Sequence, residues 1–184
     1  MAERIANIVL LVEDRNHENL LRRYLQECGH NSRNMRVQKI TGGQGSGEQF
    51  VRERYASEVR AIRSQATRTK ACLIAMIDAD SGSVEDRRRQ IERALRDVEE
   101  PARVLSEPIL NLIPRRNVET WILCLNSFFV DEQPDYRHDP RVSARSIKQA
   151  ASTLFSWTRP NAEIPDTCVT SLRDCLPEFD RIPD

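Results

Sequence analysis

Ala71-Cys72-Leu73-Ile74-Ala75-Met76-Ile77-Asp78-Ala79-Asp80-Ser81-Gly82 is a run of seven apolar residues without alternation, followed by two carboxylates and a turn. An unbroken apolar run of this length reads as a strand buried on both faces, as in the middle of a parallel sheet. In an open α/β sheet, ligands collect beyond the carboxyl ends of the strands, so Asp78 and Asp80 fall where chemistry is usually done. Two residues apart on an extended chain, they are expected to face one side, with Ala79 turned away. Two acids at close range repel, which raises one pKa unless a cation is present; a divalent ion turns that repulsion into chelation. The pair therefore points to Mg²⁺ or Mn²⁺. A solvated strand-to-helix turn, in which Asp80 or Ser81 only caps the next helix, accounts for the same residues and stays open at this point.

Towards the N-terminus, Ile8-Val9-Leu10-Leu11-Val12 is a second unbroken run, and it delivers Glu13 and Asp14 at its carboxyl end. After the turn Arg15-Asn16-His17, residues Leu20, Leu21, Tyr24 and Leu25 repeat at helical spacing until Gly29, a C-terminal stop. Met35 to Ile40 alternates apolar and polar residues, as an edge strand does. Thr41 to Gly47 carries four of the six glycines and leads into a helix from about Glu48 to Gln65. Such a loop either brings backbone N–H groups up to a phosphate or is a plain surface loop; it lacks the Lys-Ser/Thr of a P-loop.

Towards the C-terminus, Ser83 to Glu100 reads as a charged helix with the run Arg87-Arg88-Arg89, either a solvated face or a phosphate contact. Pro108 to Ile113 is the fourth strand. Arg115-Arg116-Asn117-Val118-Glu119-Thr120-Trp121 then opens a helix that Asn117 is placed to cap. Arg115, Arg116 and Glu119 are candidate site residues here, and a structural ion pair between Glu119 and one of these arginines is the competing reading. Beyond Ser127, six of the nine prolines accumulate, and helices over about 142–155 and 168–176 read as an appendage packed on the sheet. A length of 184 residues supports one domain: an α/β core over 1–126 and a helical extension over 127–184.

The formal net charge is zero, yet 25 of the 28 basic residues are Arg, the planar bidentate phosphate binder. Any nucleic-acid surface must then be a local patch. The five cysteines have no C-x-x-C spacing and read as reduced core residues. His30 and His138 lack partners at zinc-ligand spacing. No signal segment and no apolar run of about 20 residues is present, which predicts a cytoplasmic protein without a membrane partner.

Glu13 at the end of the first strand and Asp78-Ala79-Asp80 at the end of the third resemble the Toprim domain, the metal-binding module of topoisomerases, bacterial primases and OLD-type nucleases. The four β-α units over 6–126 match it in size and order. Glu13-Asp14 replaces the Glu-Gly that often follows its first strand. Ile113 to Trp121 is similar to a segment of compact stand-alone Toprim-like proteins of bacterial defence loci. A response-regulator receiver fits less well, because the 64 residues from Asp14 to Asp78 exceed receiver spacing and no lysine ends a later strand.

The Toprim resemblance implies a Rossmann-like, mostly parallel four-stranded sheet flanked by helices. It also implies phosphoryl-transfer chemistry, with Asp78 and Asp80 holding Mg²⁺ or Mn²⁺ and Glu13 acting as general acid or base or as a further metal ligand. Arg115, Arg116 or Arg15 would clamp the developing charge, and Glu119 ranks with them as catalytic. The expected activity is a nuclease on DNA or RNA. The alternative is a non-catalytic subunit binding nucleic acid or an ATPase partner, and a homo-oligomer is compatible with either.

Overall fold

The computed structural model describes residues 7–40 and 46–183. Four strands, β1 (Asn7–Val12), β2 (Met35–Gln38), β3 (Ala71–Met76) and β4 (Ile109–Leu112), form one all-parallel sheet in the order β2-β1-β3-β4. β1 and β3 occupy the two central places, where Ile8–Val12 and Ala71–Met76 are apolar without a break. The alternating strand β2 lies at an edge.

Because side chains alternate along each strand, the sheet makes two cores. Ile8, Leu10, Val12, Cys72, Ile74 and Met76 face α1 (Arg15–Glu27), α4 (Val118–Leu125), α5 (Ala144–Trp157) and α6 (Thr170–Cys175). Val9, Leu11, Leu73, Ala75 and Ile77 face α2 (Gly47–Gln65) and α3 (Val84–Arg96). The chain after Ser127 adds Ile147, Ala150, Leu154 and Leu172 to the first of these cores, against α1 and α4. The other edge strand, β4, is covered by a 3₁₀ turn over Leu176–Arg181, where Glu178 accepts the Asn111 N–H at 2.9 Å. An edge amide satisfied in this way offers no template for another chain.

The helix ends follow local chemistry. Asp14 caps α1, its carboxylate accepting the N–H groups of Asn16 and His17 at 2.8 and 3.2 Å. Asn117 caps α4 as its position predicts, accepting from Thr120 at 3.3 Å. The helix expected over 83–100 is shorter: Ser83 is its cap, and Glu99 has φ +58, a left-handed turn that ends it. The last expected helix, over 168–176, is α6, beyond which Pro177 is accommodated in the 3₁₀ turn. All five cysteines are free, and four are buried. No helix among the described residues is long and apolar enough to cross a membrane.

Candidate active site

β3 ends at Met76, so Asp78 and Asp80 stand beyond it rather than on its last turn of pleat. Pairing with the β4 segment nevertheless continues, with Ile77 donating to the Leu112 carbonyl at 3.1 Å and Ala79 to that of Pro114 at 2.8 Å. This holds Asp78 rigidly and buries it to 2 % exposure. Asp80 has φ +54, and the left-handed turn sends its side chain out to about a third exposure. The two acids expected on one side both line one cleft, Asp78 as a buried acid and Asp80 as a rim acid. This cleft, of about 270 Å³, is also lined by Glu13, Asp14, Glu48 and Arg137.

Parallel pairing of β1 with β3 brings Glu13 beside Asp78, whose backbone N–H donates to Glu13 Oε1 at 2.5 Å. The first turn of α1 supplies a residue that the sequence reading passed over as part of a turn. His17 is fully buried; its Nε2 lies 3.0 Å from Asp78 Oδ1 and its Nδ1 2.9 Å from Asp14 Oδ1. Ligand atoms of Glu13, His17 and Asp78 all lie within 4.8 Å of one another. A signal for His17 does exist in the sequence. It stands four and seven residues before Leu21 and Tyr24, on the buried stripe of α1, where a polar side chain needs a partner.

Electrostatics separate the members. Burial and the neighbouring Asp78 charge push Glu13 up to about 8. Burial likewise raises Asp78, with His17 opposing. For His17, burial favours the neutral ring, but the Asp78 charge and hydrogen bonds to Asp14 and Asp78 win and hold it well above its ordinary value. Both ring nitrogens face carboxylate oxygens, an arrangement that a protonated ring satisfies by donating one N–H to each. Burial would also raise Asp14, yet the His17 contact and the two helix-start N–H groups bring it down to about 2. Glu119 is buried in α4, and its carboxylate accepts from Asn16 Nδ2 at 2.7 Å. Burial raises its pKa, and Asp78 and Asp14 add to the rise. The ion pair weighed for Glu119 with Arg115 or Arg116 is thus replaced by an amide contact.

The arginines are distributed differently from expectation. Arg115 donates to the Gly82 carbonyl, Arg116 Nη2 is 3.9 Å from Asp135, and Arg15 is exposed. None of the three lines the cleft. Arg137, from the C-terminal extension, does line it, and its guanidinium donates to Asp80. Nothing local marks Arg137 in an arginine-rich chain. The run Arg87-Arg88-Arg89 splits: Arg87 is buried, donating to the Asp78 carbonyl at 2.8 Å and to Glu48, whereas Arg88 and Arg89 pair with Glu85 at the surface.

Of the glycine-rich loop, 41–45 lie outside the described residues, so the phosphate-cradle reading falls there. Gly47 has a packing reason to be glycine, since a Cβ would sit 2.6 Å from the Glu13 carbonyl oxygen. The start of α2 thereby closes against the end of β1 and forms one wall of the cleft.

The donor set fits a hard divalent cation. Glu13 and Asp78 offer carboxylate oxygens in a partly desolvated cleft, while both His17 nitrogens are engaged and serve to hold Asp14 and Asp78. Comparison with protein-family models, curated proteins and solved structures finds no match to this chain.

Proposed function

We propose that the chain is a divalent-metal-dependent phosphodiesterase, a nuclease acting on DNA or RNA through a Toprim-like site. One observation carries the reading: Glu13 and Asp78 line one cleft at the carboxyl ends of the two central strands, their ligand atoms lying with that of the buried His17 within 4.8 Å of one another. Glu13 and Asp78 would hold Mg²⁺ or Mn²⁺, with Asp80 as the third carboxylate at the rim. When bound, the ion supplies Lewis-acid polarisation of a phosphodiester and stabilises its leaving oxygen. His17 fixes the Asp78 carboxylate from behind, with Asp14 fixing His17. As the alternative role, with the ion on Asp78 and Asp80, the Glu13 carboxyl, which burial and Asp78 push up to about 8, would accept or return a proton there. Arg137 is the guanidinium in the cleft, and exchanging the Asp80 carboxylate for a substrate phosphate makes it the charge clamp.

The same Arg137 contact favours a second reading, a non-catalytic module for nucleic acid or an ATPase partner, because Asp80 is already neutralised within the protein. Incubation with supercoiled plasmid, single-stranded DNA and RNA, in Mg²⁺, Mn²⁺ or EDTA, separates the two. The enzyme reading expects cleavage by the wild type with metal and none with EDTA or by Asp78→Ala. Cleavage that survives both EDTA and Asp78→Ala sinks it, and binding without cleavage under every condition selects the second reading.

A further inference from the structure

A second cavity, of about 760 Å³, opens at the far end of α1 from His17, about 16 Å along the helix at 1.5 Å per residue. It is lined by Tyr24, Trp157, Phe179, Arg159, Arg173 and Asp180 among others. Its volume lies in the range of small-molecule sites. The aromatic wall is set firmly: Tyr24 packs edge-on to Phe179 at 4.8 Å, and its hydroxyl lies 3.1 Å from Thr158 Oγ1. Trp157 is only partly buried, leaving part of its indole open to the cavity.

The two guanidinium groups are positioned by neutral partners. Arg159 stacks 4.4 Å over the Phe155 ring and donates to the Phe155 carbonyl at 3.3 Å. Arg173 donates to the Pro165 carbonyl at 2.6 Å. Neither pairs with a carboxylate among the described residues, although most arginines of this chain that make side-chain contacts do. Asp180 is the one acidic residue in the lining, so the cavity keeps a positive excess.

We propose that this cavity binds a free nucleotide, its base against the partly exposed Trp157 indole and its phosphate at Arg159 and Arg173. A flat aromatic ring is what a wall of aromatic side chains buries best, and the guanidinium fork matches phosphate oxygens. A neutral apolar ligand would leave the two arginines without use, and a metal cation would be repelled by them. The site is independent of the acid cleft and of its proposed reaction.

The test is titration of the full chain with AMP, GMP and UMP in EDTA, read by Trp157 fluorescence; the other tryptophan, Trp121, is fully buried. The expected result is saturable quenching that Trp157→Phe removes. Adenosine, lacking the phosphate, should bind at least about tenfold more weakly than AMP, and Arg159→Ala and Arg173→Gln should each weaken AMP by about tenfold. If Arg159→Ala fails to fold, Arg173→Gln and the comparison of adenosine with AMP decide. Absence of saturable quenching by all three nucleotides at millimolar concentration overturns the proposal. So does equal affinity for adenosine and AMP, or loss of AMP binding in Asp78→Ala, which would move the site to the acid cleft. A short oligonucleotide that binds through Arg159 while AMP does not would replace the free nucleotide by a strand end.

Discussion

Glu13, Asp78 and Glu119 on one side of the molecule, and Glu100, Glu107 and Glu178 on another, are two groups of carboxylates treated in opposite ways. The second group is matched by arginine. Arg63 reaches Glu107 at 2.6 Å and Glu100 at 3.1 Å, Arg60 reaches Glu100 at 2.6 Å, and Arg103 and Arg181 hold Glu178. Hydrogen bonds from Arg63 lower Glu107 and those from Arg60 lower Glu100; Glu178 is lowered by Arg103 and the Asn111 N–H against the effect of burial. These acids tie loops and the C-terminal turn to the sheet. In the first group, among the described residues, only Asp78 forms an ion pair, with His17, and all three members are raised. A fold that supplies arginine freely elsewhere leaves this cleft short of positive charge, which is the electrostatic condition for taking up a metal ion.

The largest expected effect tests whether His17 is the counter-ion of the cleft. Among the described residues His17 is the one ion-pair partner of the Asp78 carboxylate, and His17→Ala should cost about 3–5 kcal/mol near neutral pH. A loss below about 1 kcal/mol in chemical denaturation would show that the acids accommodate each other by holding protons, and the contrast between the groups would narrow.

Metal should erase the contrast by supplying the missing charge. At about a hundred times its dissociation constant, Mg²⁺ or Mn²⁺ should stabilise the native state by about 2.7 kcal/mol, read as a rise in melting temperature. The effect has a defined pH dependence. Glu13 is near 8 when folded against about 4.5 when unfolded, so the native state binds the extra proton between these values and loses stability as pH rises through that window. Metal competes with that proton, and the metal-induced shift should grow from pH 6 to pH 8.5. In Glu13→Gln the shift should be smaller and nearly flat with pH. An identical shift in Glu13→Gln would place metal binding elsewhere.

Breaking the matched group should do less. Arg103→Ala removes the bonds to Glu178 and to the Ile109 carbonyl and should cost about 2 kcal/mol, without altering metal affinity. A change in metal affinity would mean that the two groups are coupled. The smallest effect is a gain. Glu119 has a raised pKa and so opposes folding increasingly above the ordinary carboxylate range; Glu119→Gln keeps an acceptor for Asn16 and removes the charge. Stability at pH 8 should rise by up to about 0.5 kcal/mol, and a fall would show that the Glu119 charge is needed by the cleft.

The sequence by itself determined the scaffold. The apolar runs at 8–12 and 71–77 and the mostly apolar 109–113 read as buried strands, their β-α spacing pointed to parallel pairing, and that pairing brings the acids at the ends of the first two runs to one edge of the sheet. These are consequences of hydrophobic periodicity and chain direction, both readable within about ten residues. Partners of polar groups were decided only by the tertiary structure. His17 finds Asp78 across 61 residues, Asn16 finds Glu119 across 103, and Arg137 finds Asp80 across 57. The left-handed turn that gives Asp80 a different role from Asp78, and the contact that leaves no room for a Cβ at Gly47, likewise depend on segments distant in the chain. A buried charge takes whichever partner the fold delivers within about 3 Å, and no local pattern encodes that distance.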